Sequence, residues 1–438
     1  MGEGVLTPPS LRGDAGGHAG IARRGGTLFV DELPLEGIVA AVGTPVYVYS
    51  ARAIRSQYRR LAGALAGVPH RLHYSVKANS NLAILALLRE LGAGVDIVSG
   101  GELRRALLAG FAGRDIVFSG VGKTEEELRL AAETGVRFVN VESEGELRLL
   151  DEVARRLGVH VPVTLRVNPE VDVDTPHPYT NTGSKGMKFG IPSDQAEDVG
   201  RLALTLPGVR LVGLDMHIGS QISDVAPYEH GVARLLALVE SLRRAGATDI
   251  VTLDVGGGLA VTYDDEPPAD VDAFGRLVSR LLGPTGLEIV LEPGRFLVGN
   301  AGVLVARALY RKHSGGKDFL VTDAGMNDLL RPSHYEAYHR IEALAPSGRR
   351  ATVDVVGPIC ESGDFLALDR EMDDVAPGDL VVVHTAGAYG HVMSSNYNSR
   401  PRPPEVLVDG AAFAVVRERE TFDDLVRHER ISLDWRTA

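Results

Sequence analysis

From about Thr44 to about Arg295 the chain repeats one hydrophobic pattern. A short run rich in β-branched residues precedes a longer stretch whose apolar residues recur at helical spacing. A glycine or proline then interrupts each unit, as expected where an element ends. Stretches such as AILALLRELG and EGELRLLDEVARRLG are predicted helices. The predicted strands are RLHYSVK from Arg71, GVDIVS from Gly94, DIVFSG from Asp115, RFVNVES from Arg137, PVTLRVN from Pro162, LVGLDMHIG from Leu211, IVTLDVGGG from Ile250 and EIVLEPG from Glu288.

Eight strand–helix units in roughly 250 residues have the size and rhythm of a (β/α)8 barrel of the α/β class. A doubly wound open sheet is the alternative, because periodicity alone does not distinguish a closed sheet from an open one.

After about Ala308 the pattern changes to successive strand-like runs with turns between them, which predicts a mostly antiparallel β-domain. These runs are DFLVTDAG, ATVDVVG, DLVVVHTAG, PEVLVDG and FAVVRER. The early segment TLFVDELPL is expected to pair with this domain. The predicted organisation is a flexible tail over residues 1–25, a barrel over 46–310, and a β-domain built from 26–45 plus 311–438.

Composition narrows the function classes. The 438 residues carry a formal net charge of −12, from 46 basic and 58 acidic residues, which argues against nucleic acid or an anionic membrane as a partner. The N-terminal residues lack the apolar segment of a secretory signal. The single cysteine, Cys360, excludes an intramolecular disulfide. A reducing cytoplasm is therefore the expected location, and no metal site is predicted.

Lys77 closes the first predicted strand, in HYSVKANSN. In a barrel, the carboxyl ends of the strands form the face on which active sites are built. Partial desolvation there is expected to lower the pKa of the lysine and free its amine to attack an aldehyde. The alternative is a lysine that simply reaches solvent at the end of a strand.

Two glycine-containing segments follow the seventh and eighth strands. Gly256, Gly257 and Gly258 permit close backbone approach to an anion, and EPGR, beginning at Glu292, follows on the neighbouring strand. Loops at these two places in barrels frequently bind phosphate. The pair therefore predicts a phosphate site, although a tight turn alone would also explain the three glycines.

Further candidates lie in short motifs. His217 ends the sixth strand in HIGSQ, and Cys360 lies in GPICESGD among acidic and hydroxyl neighbours. Arg331 and Tyr335 lie in LLRPSHYEAYH, and Tyr389 lies in GAYG. Arginine offers a planar fork for a carboxylate. Taken singly, each has an ordinary alternative: a structural histidine, a small buried thiol, or a surface residue.

Together these motifs resemble a known family. HYSVKANSN, DIVSGGEL, HIGSQ, DVGGGL, EPGR, CESGD, GAYG and SSNYNSRPRPPEVLV occur in that order, from about residue 26 to about residue 415. The chain resembles the fold-type III pyridoxal-phosphate-dependent decarboxylases, which have an alanine racemase-like fold, and most closely the branch that acts on diaminopimelate. The resemblance implies that pyridoxal 5'-phosphate is the cofactor.

The resemblance also implies a role for each candidate. Lys77 would bond to the cofactor aldehyde, His217 would stack on its ring, and Glu292 would face its ring nitrogen. Tyr389 would contact both cofactor and substrate. The phosphate would lie against Gly256, Gly257, Gly258 and the backbone of Glu292, Pro293, Gly294 and Arg295.

The far end of the substrate would be bound by Arg295, Arg331, Tyr335 and Glu361, while Cys360 would protonate the substrate carbanion. In this family Cys360 and Glu361 reach the neighbouring subunit's site, so the resemblance implies a homodimer with shared active sites. The Gly-rich segment NTGSKGMKFG, which includes residues 183–190, resembles the family's loop over the active site.

The implied activity is decarboxylation of meso-2,6-diaminopimelate to L-lysine and CO2, the last step of lysine biosynthesis. Two arginines and Glu361 suit a far end that carries both a carboxylate and an amine, and they disfavour substrates with only an ammonium there. The alternative is a related decarboxylase acting on ornithine, arginine, carboxynorspermidine or a carrier-bound glutamyl group. A racemase of the same fold, or a binder of the cofactor without turnover, fits the motifs less well.

Overall fold

The computed structural model describes residues 20–171, 177, 182–183, 186–432 and 435. Residues 1–19 of the predicted tail lie outside this range. The strands are β1 (Ile21–Arg24), β2 (Thr27–Val30), β3 (Leu33–Pro34), β4 (Val46–Ser50), β5 (His70–Ser75), β6 (Gly94–Ile97), β7 (Ile116–Phe118), β8 (Phe138–Val141), β9 (Val161–Asn168), β10 (Ile191–Pro192), β11 (Val209–Asp215), β12 (Thr252–Asp254), β13 (Glu288–Leu291), β14 (Gly302–Ser314), β15 (Lys317–Thr322), β16 (Ile341–Ala343), β17 (Arg350–Val356), β18 (Phe365–Asp373), β19 (Leu380–Val383), β20 (Glu405–Asp409) and β21 (Ala412–Arg417).

The helices follow the same order along the chain. They are α1 (Leu35–Val42), α2 (Ala51–Ala64), α3 (Leu82–Glu90), α4 (Gly100–Leu108), α5 (Glu125–Thr134), α6 (Glu144–Leu157), α7 (Ala196–Ala203), α8 (Ala226–Arg244), α9 (Val271–Leu282), α10 (Arg295–Val298), α11 (Arg331–Tyr335) and α12 (Phe422–Val426).

Eight parallel strands form a closed barrel. They lie in the order β9, β11, β12, β13, β5, β6, β7, β8, and β8 pairs again with β9. All eight strands predicted from the sequence are present, so the predicted barrel is confirmed. The open-sheet alternative is wrong because the pairing of β8 with β9 leaves no free edge.

The barrel helices begin where a polar side chain follows a buried strand. Asn81, Ser99 and Ser143 each accept a hydrogen bond from a backbone N–H in the first turn of α3, α4 and α6. Thr124 and Glu127 form a reciprocal capping box at the start of α5. These caps fix where each strand ends, and therefore which side chains reach the mouth of the barrel.

The second sheet is mostly antiparallel, as predicted. Its path runs β18, β17, β15, β14, β4, β20, β21, with β19 pairing to both β14 and β16. The long strand β14 leads directly out of the barrel into this sheet. β4 also lies in it, hydrogen-bonded to β14 and β20, although the predicted barrel range begins at residue 46. The domain limits themselves stay a prediction.

The segment TLFVDELPL does not extend the second sheet, so that expectation is wrong. Its strands β2 and β3 pair with β1 in a separate three-stranded sheet. Apolar packing connects the two sheets, because Leu28 and Val30 share a buried cluster with Val48 and Val303. The hydrophobic pattern indicated this burial but did not specify its backbone partner.

Candidate active site

Lys77 lies in a 3-10 turn, Val76–Ala78, directly after β5. Two hydrogen bonds hold this turn: Tyr74 donates its hydroxyl to the carbonyl of Asn79 at 2.9 Å, and the N–H of Tyr389 donates to the carbonyl of Ala78 at 2.8 Å. The lysine side chain lines both an inner pocket at the barrel mouth and a larger outer cleft, and 34% of its surface stays open. The side chain therefore extends into the barrel mouth, the position that the sequence predicts for it.

The pKa of Lys77 is not lowered. The lower pKa predicted from the position of Lys77 at the end of a barrel strand is therefore wrong. Burial acts to lower it, but Asp96, Tyr389 and Glu292 together raise the pKa above its ordinary value. The Asp96 carboxylate lies 3.8 Å from the lysine Nζ and also accepts a hydrogen bond from Ser75 at 2.7 Å. The sequence-based argument failed because Asp96 comes from the neighbouring strand β6.

A cluster of buried carboxyl groups includes Glu292, which lines the inner pocket. Oxygen atoms of Asp215, Asp254 and Glu292 lie within 4.8 Å of one another. Burial, followed by repulsion from Asp254, Asp96 and Asp215, raises the pKa of Glu292 well above its ordinary value. Burial likewise raises the pKa of Asp254 to about 7. These carboxyl groups therefore retain protons that exposed carboxylates would lose.

Glu292 is held by two donors. The Ser119 hydroxyl and the Asn140 amide each donate to Oε1 at 3.1 Å. The Glu292 side chain follows β13 and faces the inner pocket. This geometry fixes one oxygen of the carboxyl group at the wall of the inner pocket.

His217 follows β11 and lines both pockets. Burial, then the charges of Lys77 and Arg166, lower its pKa well below the ordinary value, so the ring is neutral. The N–H of Gly219 donates to its Nδ1 at 3.3 Å, which leaves the proton on Nε2. A neutral, fixed imidazole of this kind is suited to stack on a flat aromatic ring.

The glycine loop after β12 cannot carry side chains. A Cβ at Gly256, Gly257 or Gly258 would lie 2.4 Å or less from a backbone carbonyl oxygen of Met216, Glu292 or Gly219, respectively. The loop and the neighbouring residues Pro293, Gly294 and Arg295 line the inner pocket. Their bare backbone is therefore available to an anionic group.

Two buried arginines, Arg295 and Arg331, occupy the outer cleft without a carboxylate partner among the described residues. Arg295 donates to the hydroxyl of Tyr263 and, at 3.1 Å, to Ser220, and it lies 4.9 Å from the ring centre of Tyr389. Arg331 begins α11 and lies 5.0 Å from the ring centre of Tyr263. A buried guanidinium without a countercharge is costly, so this cleft is suited to bind an anion.

The outer cleft has a volume of about 840 Å³. Besides the residues already placed there, Tyr335, Arg166, Gln221 and Glu266 line it. Arg166 pairs with Glu142 at 2.9 Å, so its charge is already compensated. The structure thus brings together Lys77, His217, Arg295, Arg331, Tyr335 and Tyr389.

Cys360 and Glu361 do not line either pocket of this chain. Cys360 is exposed, and its N–H donates to the Asn398 side chain at 2.8 Å. Glu361 interacts with Tyr397, also on the surface. The structure therefore does not bring these two residues to the wall of their own chain's cleft.

The predicted covering loop is described only in part. Asn181, Ser184 and Lys185 lie outside the described residues, while Thr182 and Phe189 line the outer cleft. Thr182 donates to the carbonyl of His217 at 3.0 Å.

The residues present fit pyridoxal 5'-phosphate. A lysine amine, a buried protonated carboxyl group, a neutral histidine and a bare glycine loop surround one small pocket. One atom there supports the fit: Nε of Arg295 is buried without a partner among the described residues, and Arg295 lines the pocket. The pocket therefore offers a hydrogen-bond donor that the described part of the chain does not satisfy.

Sequence reasoning missed several residues of this site, among them Asp96, Asp254, Tyr263 and His339. Asp96 and Asp254 lie within the predicted strands GVDIVS and IVTLDVGGG. An acidic residue within an apolar barrel strand was the available signal, since inward-facing strand positions are normally apolar. Tyr263 and His339 gave no comparable signal.

The fold and this pocket define the class of barrel-type pyridoxal-dependent decarboxylases. Residues 51–299 match the family model described as "Pyridoxal-dependent decarboxylase, pyridoxal binding domain". A diaminopimelate decarboxylase of Pseudomonas fluorescens is 50% identical over 410 residues, which cover 93% of this chain and 98% of that protein. The chain belongs to the diaminopimelate decarboxylase family.

Solved structures agree with this assignment. Diaminopimelate decarboxylase from Helicobacter pylori complexed with L-lysine is 38% identical, with a TM-score of 0.87 over 90% of this chain and 98% of the other. The enzyme from M. jannaschii in co-complex with L-lysine is 35% identical, with a TM-score of 0.90 over 95% and 98% of the two chains. The family predicted from the sequence motifs is confirmed.

No helix in the described part of the chain has the length and apolar character that a membrane crossing requires.

Proposed function

We propose that this protein decarboxylates meso-2,6-diaminopimelate to L-lysine and CO2 with pyridoxal 5'-phosphate, the last step of lysine biosynthesis. One observation carries the proposal: Lys77 and two buried arginines that have no carboxylate partner among the described residues line one continuous pocket. A substrate that has an amine at one end and a carboxylate at the other can satisfy both. The relatives' names and their complexes with L-lysine support this choice.

Pyridoxal phosphate, when bound, supplies an electron sink for the pair left on Cα by the departing CO2. Lys77 would hold its aldehyde carbon, and Gly256, Gly257 and Gly258 its phosphate. Glu292, which Ser119 and Asn140 orient, would keep a proton at the ring nitrogen. Neutral His217 would stack on the ring without adding charge to it.

Arg295 and Arg331 would bind the far carboxylate of the substrate, with Tyr335 beside them. Because the two guanidinium groups have no carboxylate partner among the described residues, they need not break an ion pair to do so. The cation–π contacts with Tyr263 and Tyr389 hold both groups in place before the substrate arrives. Glu361 would bind the amine at the same end.

Cys360 would deliver a proton to Cα of the substrate as the general acid. Because neither Cys360 nor Glu361 lines its own chain's cleft, we propose that they act in a neighbouring copy of the chain. The functional unit is then a homodimer with shared sites. The single cysteine of the chain suits a cytoplasmic enzyme.

Subunit mixing tests the shared site. Lys77→Ala and Cys360→Ala homodimers should both be inactive, whereas co-expression should restore about a quarter of normal activity, because half of the dimers would have one intact site. Absence of recovery, with heterodimers demonstrated by differential tagging, would show that both residues act within one chain.

The activity is tested by release of CO2 from the cofactor-loaded protein. The substrates compared are meso-diaminopimelate, LL-diaminopimelate, ornithine, arginine and lysine. Release from the meso isomer alone is expected. Release from ornithine or arginine instead would retain the chemistry and overturn the roles of Arg295, Arg331 and Glu361.

A further inference from the structure

His339 is a fully buried residue that contacts Arg331. The Nε of Arg331 donates to Nε2 of His339 at 3.4 Å. His339 does not line the cleft, whereas Arg331 does. Any effect of His339 on a ligand must therefore pass through residues that it contacts, of which Arg331 and Tyr263 line the cleft.

The protonation state of His339 follows from its other partner. Its Nδ1 lies 2.9 Å from the carbonyl oxygen of His384, which can only accept, so Nδ1 carries the proton. Nε2 is then a bare lone pair that faces the Arg331 donor. Burial and the neighbouring Arg331 charge lower the pKa of His339 to about 3, which agrees with a neutral ring at physiological pH.

The imidazole is itself held on a rigid support. Arg370 donates to the carbonyl of His339 at 2.7 Å, and the N–H of His384 donates to the carbonyl of Arg340 at 2.9 Å. The ring of Tyr263 meets the imidazole edge-on at 5.2 Å and also contacts the Arg331 guanidinium at 5.0 Å. Arg331 is thus fixed by an acceptor at Nε and by an aromatic ring.

We propose that His339 is a positioning residue for substrate recognition, which accepts from Nε of Arg331 and so directs the terminal Nη donors at the far carboxylate of the substrate. A guanidinium is planar, so one fixed Nε–H sets the direction of the remaining donors. This inference rests on the proposed function, because it concerns the carboxylate at the far end of diaminopimelate.

The product provides a probe for this role. Loss of one carboxylate from meso-diaminopimelate leaves L-lysine with the other carboxylate, the one assigned to Arg331. The compound 1,5-diaminopentane has the same chain and amines but no carboxylate. Binding of L-lysine should therefore depend on His339, and binding of 1,5-diaminopentane should not.

Two variants distinguish the hydrogen bond of the His339 ring to Arg331 from its hydrogen bond to the His384 carbonyl. His339→Asn can still donate to the His384 carbonyl through its amide but is too short to reach Arg331. His339→Gln is one methylene longer and can place an acceptor near the original Nε2. Both side chains are polar amides, so each controls for the other, and thermal melting checks that both variants fold.

For His339→Asn in the holoenzyme we expect about tenfold weaker L-lysine binding by calorimetry and about a tenfold higher KM for meso-diaminopimelate. The kcat should stay within about twofold, since Lys77 and its surroundings are unchanged. His339→Gln should lie within about threefold of the natural protein in both quantities. The affinity for 1,5-diaminopentane should be the same in all three proteins.

The proposal is overturned if His339→Asn binds L-lysine with normal affinity, or if His339→Gln binds L-lysine as weakly as His339→Asn does. It is also overturned if His339→Asn loses affinity for L-lysine and 1,5-diaminopentane to the same extent. Loss of kcat in His339→Asn with an unchanged KM would also contradict it. If the natural protein does not turn over meso-diaminopimelate in this assay, the proposed function fails instead, and the two failures are thereby distinguished.

Discussion

The inner pocket and the outer cleft differ in how their buried charges are compensated. In the inner pocket, carboxyl groups crowd around Lys77 and Glu292, and raised pKa values keep part of them protonated. In the outer cleft, Arg295 and Arg331 cannot lose their protons and have only hydroxyl, imidazole and aromatic partners among the described residues. The difference indicates that the charge of the inner pocket is set by which carboxyl groups hold protons. The outer cleft instead carries a fixed positive charge that is placed for an external anion.

This arrangement distinguishes between substrates by what their far end carries. Meso-diaminopimelate has an amine and a carboxylate at each end, so one carboxylate can meet the two arginines while the other end reacts. A substrate whose far end carries only an ammonium would place like charge beside the arginines and bind less well.

Replacing Lys77 should have the largest effect on the inner pocket. Lys77→Ala removes the amine that would hold the cofactor, so the absorbance of the lysine-bound cofactor should disappear and turnover should fall on the order of a thousand-fold or more. Ultraviolet–visible spectra and CO2 release measure the two quantities. Persistence of the lysine-bound spectrum would transfer this role to a different lysine.

Glu292→Gln tests whether turnover depends on a proton that Glu292 shares with the cofactor ring nitrogen in the inner pocket. The amide keeps the size of the side chain and its contacts with Ser119 and Asn140 but cannot share a proton with the ring nitrogen. We expect kcat to fall about a hundred-fold with little change in KM. An unchanged kcat would mean that the buried carboxyl groups are only structural.

Arg331→Met tests the outer cleft, where binding rather than chemistry should suffer. Loss of the charged fork should raise the KM for meso-diaminopimelate about tenfold to thirtyfold and leave kcat within about threefold. Arg276→Met, on the barrel helix α9, is a control that should change neither constant. If Arg331→Met lowers kcat and leaves KM unchanged, the outer cleft contributes to chemistry rather than to binding, and the contrast with the inner pocket fails.

The smallest expected effect concerns the pH dependence of stability. The pKa of Asp254 is raised from 3.8 to about 7 in the folded protein, so the folded state binds more protons than the unfolded chain between these values. The free energy of unfolding should therefore fall as pH rises through this window and level off above it.

Asp254→Asn removes this titration and should flatten the slope by at most about 1.4 kcal/mol per pH unit. Urea midpoints measured from about pH 5 to about pH 8 provide the test, with exposed Asp249→Asn as the control. If the free energy of unfolding of Asp254→Asn falls with pH as steeply as that of the natural protein, other carboxyl groups bind the protons in this pH range.

The sequence by itself determined the eight barrel strands, the change to a second sheet, and the positions of Lys77, His217 and the glycine loop. These follow from periodicity and from residues next to strand ends, both of which are local properties of the chain. The motif order also identified the family. The roles of individual site residues, including Cys360 and Glu361, stay predictions that the proposed experiments address.

Only the tertiary structure decided the electrostatics of the site. The pKa of Lys77 depends on Asp96 and Glu292, which other strands bring beside it, so the direction expected from position alone was wrong. The support of Arg331 by Tyr263 and His339 likewise joins separate segments of the chain. Interactions of this kind vary with distances of a few ångströms across the fold, and a linear pattern of residues does not contain those distances.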